Sequence, residues 1–271
     1  MSIAPTLLLG AIAGFTLYLG LPFARLKHPR RSLQAFLNAL ATGILVFLFW
    51  DVMTKASAPI TTALAAARSG QTTSFVLLAT LFASGFGAGL LSLVYFERRF
   101  LRRAGPAGHT AAQEQRLAGP SPRQLALLIA LGIGLHNFSE GLAIGQSSRA
   151  GAIGLATILI VGFGLHNMTE GFGIAAPLTA GGERPTWALL ALAGLIGGGP
   201  TFLGTALGFS VQSDALFVLF LALAAGSIFY VVSELLHVGR RFALREVAMW
   251  GVFLGFLLGY GTDLLLTWGG A

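Results

Sequence analysis

The chain has 271 residues, of which 55% are hydrophobic and only 10% are charged, and its mean hydropathy is +0.79. Soluble domains usually contain about 25% charged residues, so this chain has too little polar surface for a water-soluble globule and is expected to be an integral membrane protein. The net charge of +7 does not indicate a nucleic-acid partner, because the basic residues lie in short connections between apolar runs, and the absence of cysteine excludes disulfides and thiolate metal ligands.

Eight apolar runs predict helices that cross the lipid bilayer, since each is long enough to span about 30 Å of hydrocarbon. Within a single transmembrane domain of residues 1–271, we place these spans at residues 4–24, 32–54, 72–97, 123–147, 150–178, 186–210, 214–237 and 247–269. Strands of a β-barrel would alternate apolar and polar residues, which these runs do not do. The first run has no basic segment before it and no clear cleavage site, so we expect a retained helix rather than a signal peptide.

The distribution of basic residues predicts the orientation of the chain. Most Lys and Arg residues fall on one side, particularly in the polar connection 98–122, whereas the other side carries only Lys55, Arg68 and Arg149. Because cytoplasmic loops are enriched in Lys and Arg, both termini are expected outside and 98–122 is expected to be a flexible cytoplasmic loop.

One phrase occurs twice, in neighbouring spans, as GIGLHNFSEGLAI at residues 132–144 and GFGLHNMTEGFGI at residues 162–174. Residues four apart share a helix face, so His136 lies with Glu140, and His166 lies with Glu170. Ionisable groups are costly in hydrocarbon and usually mark a pathway or a binding site. Consecutive spans are antiparallel, so the four side chains are expected to meet near the bilayer midplane. Two imidazoles and two carboxylates form a ligand set suited to Zn²⁺, and also to Fe²⁺, Mn²⁺ or Cd²⁺.

Other ionisable residues lie nearer the ends of the spans. Asp51 and Asp263 are close to the predicted outer ends, where they form either an entrance that attracts cations or part of the headgroup region. Glu234 and His237, near the inner end of the seventh span, form either an exit relay or an interfacial anchor. For Glu234 the pathway role is favoured, and for His237 the anchoring role is favoured.

The residues HNFSEG and HNMTEG, on the fourth and fifth of eight spans, resemble the ZIP family of divalent metal transporters, in a bacterial member. The resemblance is specific in these two phrases and covers the rest of the chain in topology alone. It implies a bundle of eight helices in a 3+2+3 arrangement with inverted repeats, a homodimer, and a location in the bacterial inner membrane. It also implies metal uptake by elevator-like alternating access, without enzymatic activity and without a resident cofactor.

The resemblance further implies a primary metal site and an adjacent second site. The residues that match the primary site are His136, Glu140, His166 and Glu170. The residues that match the second site are Asn137, Asn167 and Glu234. The sixth span departs from the family, because Gly199 precedes Pro200 where family members often have a glutamate. We therefore expect one strong site and at most a weak neighbouring one.

Two other functions fit the same residues. An intramembrane zinc-dependent hydrolase would also use His and acidic ligands, together with a water nucleophile and a general base. Against this function, the chain has no H-E-x-x-H motif, and its candidate ligands arise from an internal duplication of the kind that alternating-access carriers use. A proton-coupled carrier of an organic substrate would use the His and Glu residues as a proton relay. Both alternatives stay open on the residues alone.

Overall fold

The computed structural model describes residues 2–26, 29–101, 120–149, 153–182 and 184–268. In these residues the chain forms long helices and no strands, with α1 at Ile3–Phe15, α2 at Arg31–Ala67, α3 at Thr72–Phe96, α4 at Pro122–Arg149, α5 at Ile153–Ala180, α6 at Trp187–Ser210, α7 at Asp214–Arg240 and α8 at Arg245–Trp268. Two short 3₁₀ turns extend α1, and a π turn ends α3. The prediction of an all-helical membrane protein with eight helices is therefore confirmed. Most of the predicted loop 98–122 lies outside the described residues.

The length and composition of the helices fit a membrane bundle. Over the described residues, seven segments are long and apolar enough to cross a bilayer, and they include every helix except α5. The first side chains of α5 lie outside the described part of the chain. The eight helices are expected to alternate in direction, which puts both ends of the chain on the same face of the bundle; we call this face the terminal face.

Helix α2 extends beyond the predicted membrane span, because it continues past residue 54 to Ala67. Its 37 residues correspond to about 55 Å, nearly twice the thickness of the hydrocarbon layer. The last turns pack against two other helices, through contacts of buried Ala63 with Leu78 of α3 and Val218 of α7. The hydropathy falls after Lys55, which indicates the end of a span, but alanine-rich sequence still favours a helix outside the lipid.

The contacts between helices show an inverted repeat. Helix α4 packs on α6, and the corresponding contact in the other repeat is that of α5 with α1. Helix α2 packs on α8, and the corresponding contact is that of α7 with α3. Individual contacts match as well, because Gly204 of α6 lies against the carbonyl of Phe138 in α4, and Gly20, just after α1, lies against the carbonyl of Met168 in α5. In every match, an odd-numbered helix of one repeat corresponds to an even-numbered helix of the other, and successive helices alternate in direction. The two repeats therefore run in opposite directions across the membrane, as the 3+2+3 arrangement requires.

Helices α1 and α6 cross at a pair of glycines. A Cβ atom placed on Gly14 would lie 2.2 Å from the carbonyl oxygen of Gly198, and one placed on Gly198 would lie 2.3 Å from the oxygen of Gly14. Small residues at such a crossing let helix backbones approach closely in the membrane. This contact brings α1 and α6 together beside α4 and α5, the two helices that carry the repeated phrases.

Candidate metal centre

The repeated phrases fold as continuous helix in α4 and α5. Within each helix a hydroxyl group bonds back to the main chain, since Ser139 Oγ donates to the His136 carbonyl at 2.7 Å and Thr169 Oγ1 donates to the His166 carbonyl at 2.6 Å. This local bond satisfies the hydroxyl group inside the helix. The histidine and glutamate side chains are thus left as the groups that make contacts between the helices.

Three of the four predicted ligands form one buried group. The nitrogen and oxygen atoms that His136, Glu140 and His166 offer as ligands all lie within 4.8 Å of one another. Nε2 of His136 is 3.1 Å from Oε1 of Glu140, and Nε2 of His166 also contacts that oxygen. One carboxylate oxygen therefore lies between imidazoles from the two repeats.

The fourth predicted ligand, Glu170, lies directly beside this group. Its side chain is fully buried, and its Oε1 atom is 3.8 Å from Nε2 of His136. Its other oxygen, Oε2, accepts a hydrogen bond of 3.3 Å from Nδ2 of Asn137. The structure thus brings together the four His and Glu side chains that the helical spacing predicted.

The cluster contains buried oxygen atoms that the protein itself does not satisfy. Within the described part of the chain, the atoms without a hydrogen-bond partner include Glu140 Oε2, Glu170 Oε1 and Asn137 Oδ1. A buried carboxylate needs a paired charge or hydrogen bonds, because its transfer out of water is costly. A divalent cation between the carboxylates and the imidazoles would satisfy Glu140 and Glu170. Nitrogen and oxygen donors of this kind suit Zn²⁺, and they also accept Fe²⁺ and Mn²⁺.

The residues expected at a second site are not all brought to the cluster. Nδ2 of Asn167 donates to the carbonyl of Ala13 in α1 at 3.1 Å, so its amide faces α1. Glu234 is partly exposed on α7 and does not belong to the ligand group found among the described residues. Asn137 does lie at the cluster, where its Nδ2 also donates to the carbonyl of Gly197 in α6 at 3.0 Å. Sequence reasoning missed this contact, although the glycine run that includes Gly197 could have indicated a close approach.

Charged residues of α2 and α8 interact with one another near the terminal face. Nζ of Lys55 lies 2.7 Å from Oδ2 of Asp51, one turn earlier in α2. Asp263 of α8 is near enough to interact electrostatically with both residues, and Asp51 in turn interacts with His166. Asp51 and Asp263 therefore lie near each other, and the ion pair of Asp51 with Lys55 was not predicted from the sequence.

The opposite face carries an acid at the position that matches Asp51. Gly43 of α2 and Gly226 of α7 make matched contacts with the main chains of α8 and α3. Asp51 lies eight residues after Gly43, and Glu234 lies eight residues after Gly226. His237, three residues further along α7, is exposed. Glu234 thus occupies in the second repeat the place that Asp51 occupies in the first.

The sequence was also compared with known families. A sequence model of the family described as ZIP Zinc transporter matches residues 97–261, which is more than half of the chain. A search of curated proteins returned no match. The matched region contains α4 and α5 with all four clustered His and Glu residues. The chain therefore belongs to the ZIP zinc transporter family, whose members are membrane transporters of divalent metal and not enzymes.

Proposed function

We propose that this chain takes up a divalent transition metal, which is held between α4 and α5 by His136, Glu140, His166 and Glu170. The observation that carries the proposal is the convergence of these four buried side chains, two from each repeat. Zn²⁺ is the favoured substrate, and Fe²⁺, Mn²⁺ and Cd²⁺ are also accepted, because such ligands discriminate weakly among these ions. The metal is cargo, so the proposed activity needs no resident cofactor.

The proposed pathway runs between the two faces of the bundle. Asp51 and Asp263 attract the incoming cation at the terminal face, which the Lys and Arg distribution places outside. Glu234 assists the release of the ion on the cytoplasmic side. The protein is multi-pass, with both termini outside, in a bacterial inner membrane. It works as a homodimer in the lipid bilayer, as the family resemblance implies.

The proposed transport cycle moves one part of the bundle against the other. Four helices, α1, α4, α5 and α6, pack on one another as a first group. The other four, α2, α3, α7 and α8, form a second group that contacts the first mainly through α2 and α7. The metal cluster belongs to the first group. An elevator-like movement of that group would expose the cluster to each face in turn, and inverted repeats supply two related arrangements for such a movement.

A flux assay tests the proposal. Purified protein is reconstituted into liposomes that contain a fluorescent metal indicator, and uptake of Zn²⁺, Fe²⁺, Mn²⁺ and Cd²⁺ is measured one metal at a time. His136→Ala and Glu140→Gln should abolish most of the uptake. The matched control is Glu246→Gln, which removes an exposed carboxylate from the first turn of α8. Equal uptake by the wild type, the two ligand variants and the control variant would refute the proposed function. A wild-type protein that transports none of these metals would refute it as well.

A further inference from the structure

The amide of Asn137 joins three helices at the metal cluster. Asn137 is in α4 and is fully buried. Its Nδ2 atom donates to Oε2 of Glu170 in α5 at 3.3 Å and to the carbonyl of Gly197 in α6 at 3.0 Å. The side chain therefore connects a ligand carboxylate to the backbone of a neighbouring helix.

The chemistry of these partners fixes which end of the amide faces Glu170. A carboxylate oxygen and a carbonyl oxygen are both acceptors, so only the NH₂ group can satisfy them. The NH₂ group has two hydrogens, and the two contacts use both of them. An amide nitrogen that donates in this way has no lone pair to offer a cation. In this arrangement the amide nitrogen of Asn137 acts as a hydrogen-bond donor to the cluster and not as a metal ligand.

The other repeat provides an internal comparison. Asn167 holds the matched position in α5, and its Nδ2 donates to the carbonyl of Ala13 in α1 at 3.1 Å. Each asparagine thus bonds the helix that carries its repeated phrase to a neighbouring helix, which is α6 for Asn137 and α1 for Asn167. Only Asn137 also bonds a carboxylate, because the matched Glu140 instead lies against the two imidazoles. The contact with Glu170 is therefore separate from the fastening role that the two asparagines share.

We propose that Asn137 is a positioning residue for the transported metal: it holds Oε2 of Glu170 by a hydrogen bond, so that Glu170 offers the ion a single oxygen, Oε1. This inference rests on the proposed function and names a determinant of its selectivity. A carboxylate limited to one oxygen suits the four-coordinate geometry of Zn²⁺. Mn²⁺ prefers a more oxygen-rich, octahedral set, which a carboxylate released from the hydrogen bond supplies better.

The inference predicts one metal ion for each chain. A second ion bound by Asn137 would have only the amide oxygen as a ligand from that residue, because the amide nitrogen donates both of its hydrogens. Gly199 in α6 supplies no acid that would complete such a site. The same cluster therefore holds one strongly bound ion, with Asn137 outside its ligand shell.

The test compares Asn137→Ala with Asn167→Ala in purified protein. Metal content gives the number of bound ions, competition with a chelator gives the affinities for Zn²⁺ and Mn²⁺, and thermal unfolding gives the stability. Loss of a residue that orients a metal ligand typically weakens metal binding by about 10–100-fold. We expect Asn137→Ala to bind one ion, with at least about tenfold weaker affinity for Zn²⁺ and a smaller preference for Zn²⁺ over Mn²⁺. Asn167→Ala should lower the thermal stability by about as much as Asn137→Ala does, but it should keep the preference for Zn²⁺ over Mn²⁺.

A second variant covers the case in which Asn137→Ala does not fold. Asn137→Asp keeps the shape of the side chain and removes both N–H donors, so it should also reduce the preference for Zn²⁺ over Mn²⁺. The inference is wrong if Asn137 and Asn167 variants change the selectivity equally, or if the wild type binds two ions and Asn137→Ala binds one. A wild-type protein that binds no metal at all would overturn the proposed function itself.

Discussion

Nε2 of His166 contacts Oε1 of Glu140, so a base from α5 and an acid from α4 meet inside the bundle. The same oxygen lies 3.1 Å from Nε2 of His136, one helical turn away. Because one carboxylate is shared between imidazoles of both repeats, Glu140 is the residue on which the geometry of the cluster depends most. Glu170, by contrast, approaches one imidazole and is held by Asn137.

This geometry predicts unequal effects of removing the two carboxylates. Glu140→Ala and Glu170→Ala should each reduce Zn²⁺ uptake by at least about tenfold, because each removes a metal ligand, and the loss should be greater for Glu140. Initial rates of Zn²⁺ uptake into liposomes provide the measurement. Circular dichroism of the purified variants serves as the control for folding. Unchanged uptake in both variants would show that the metal is bound elsewhere.

Metal uptake should also depend on pH, because two of the proposed ligands are imidazoles. An imidazole must be neutral to bind a metal, so protons compete with the ion for the ligand nitrogens as the pH falls. The apparent affinity for metal should therefore decrease as the pH is lowered. The measurement uses equal pH inside and outside the liposomes, which removes any proton gradient. His237→Ala should show the same pH profile, and equally tight binding at pH 5 and pH 7.5 would argue against imidazole ligands.

The ion pair at the terminal face predicts opposite effects for its two members. Asp51→Asn should raise the KM for metal, whereas Lys55→Met should lower the KM several-fold, because Lys55 competes with the incoming cation for Asp51. An exposed pair of this kind contributes only about 0.3–0.5 kcal/mol to stability, so an incoming ion can displace the ammonium group. Both effects should weaken at high ionic strength. Arg68→Gln, which removes an equally positive charge at the end of α2, is the matched control; an equal decrease in its KM would indicate a general effect of net charge.

The grouping of the four His and Glu side chains was predictable from the sequence because its determinants are local. His136 and Glu140 are four residues apart in one helix, His166 and Glu170 repeat that spacing in the next, and consecutive spans must be antiparallel. The bond from Asn137 to Gly197 was not predicted. The glycine run in α6 indicates a close approach of another helix, but the partner residue depends on how α6 packs against α4.

Two further differences have physical reasons. The second predicted span ends at residue 54, where the hydropathy falls, whereas helix α2 continues to Ala67 and packs there on α3 and α7. Asn167 was expected at a second metal site from its match to the family, but its amide bonds Ala13 of α1. Neither result follows from periodicity or composition, since both depend on contacts between distant segments.

The crossing of α1 and α6 provides a test of the packing that holds the cluster. Gly14→Ala would place a Cβ atom 2.2 Å from the carbonyl oxygen of Gly198, which the backbone can relieve only by moving. Such overpacking typically costs about 1–3 kcal/mol, so the midpoint of thermal unfolding should fall and Zn²⁺ uptake should fall with it. The matched control is Gly87→Ala in α3, where nothing lies within 4 Å of the new Cβ atom. Because alanine favours a helix over glycine by about 0.5–1 kcal/mol, Gly87→Ala should be as stable as the wild type or slightly more stable. A Gly14→Ala protein as stable and active as Gly87→Ala would mean that the close crossing of α1 and α6 does not support the metal cluster.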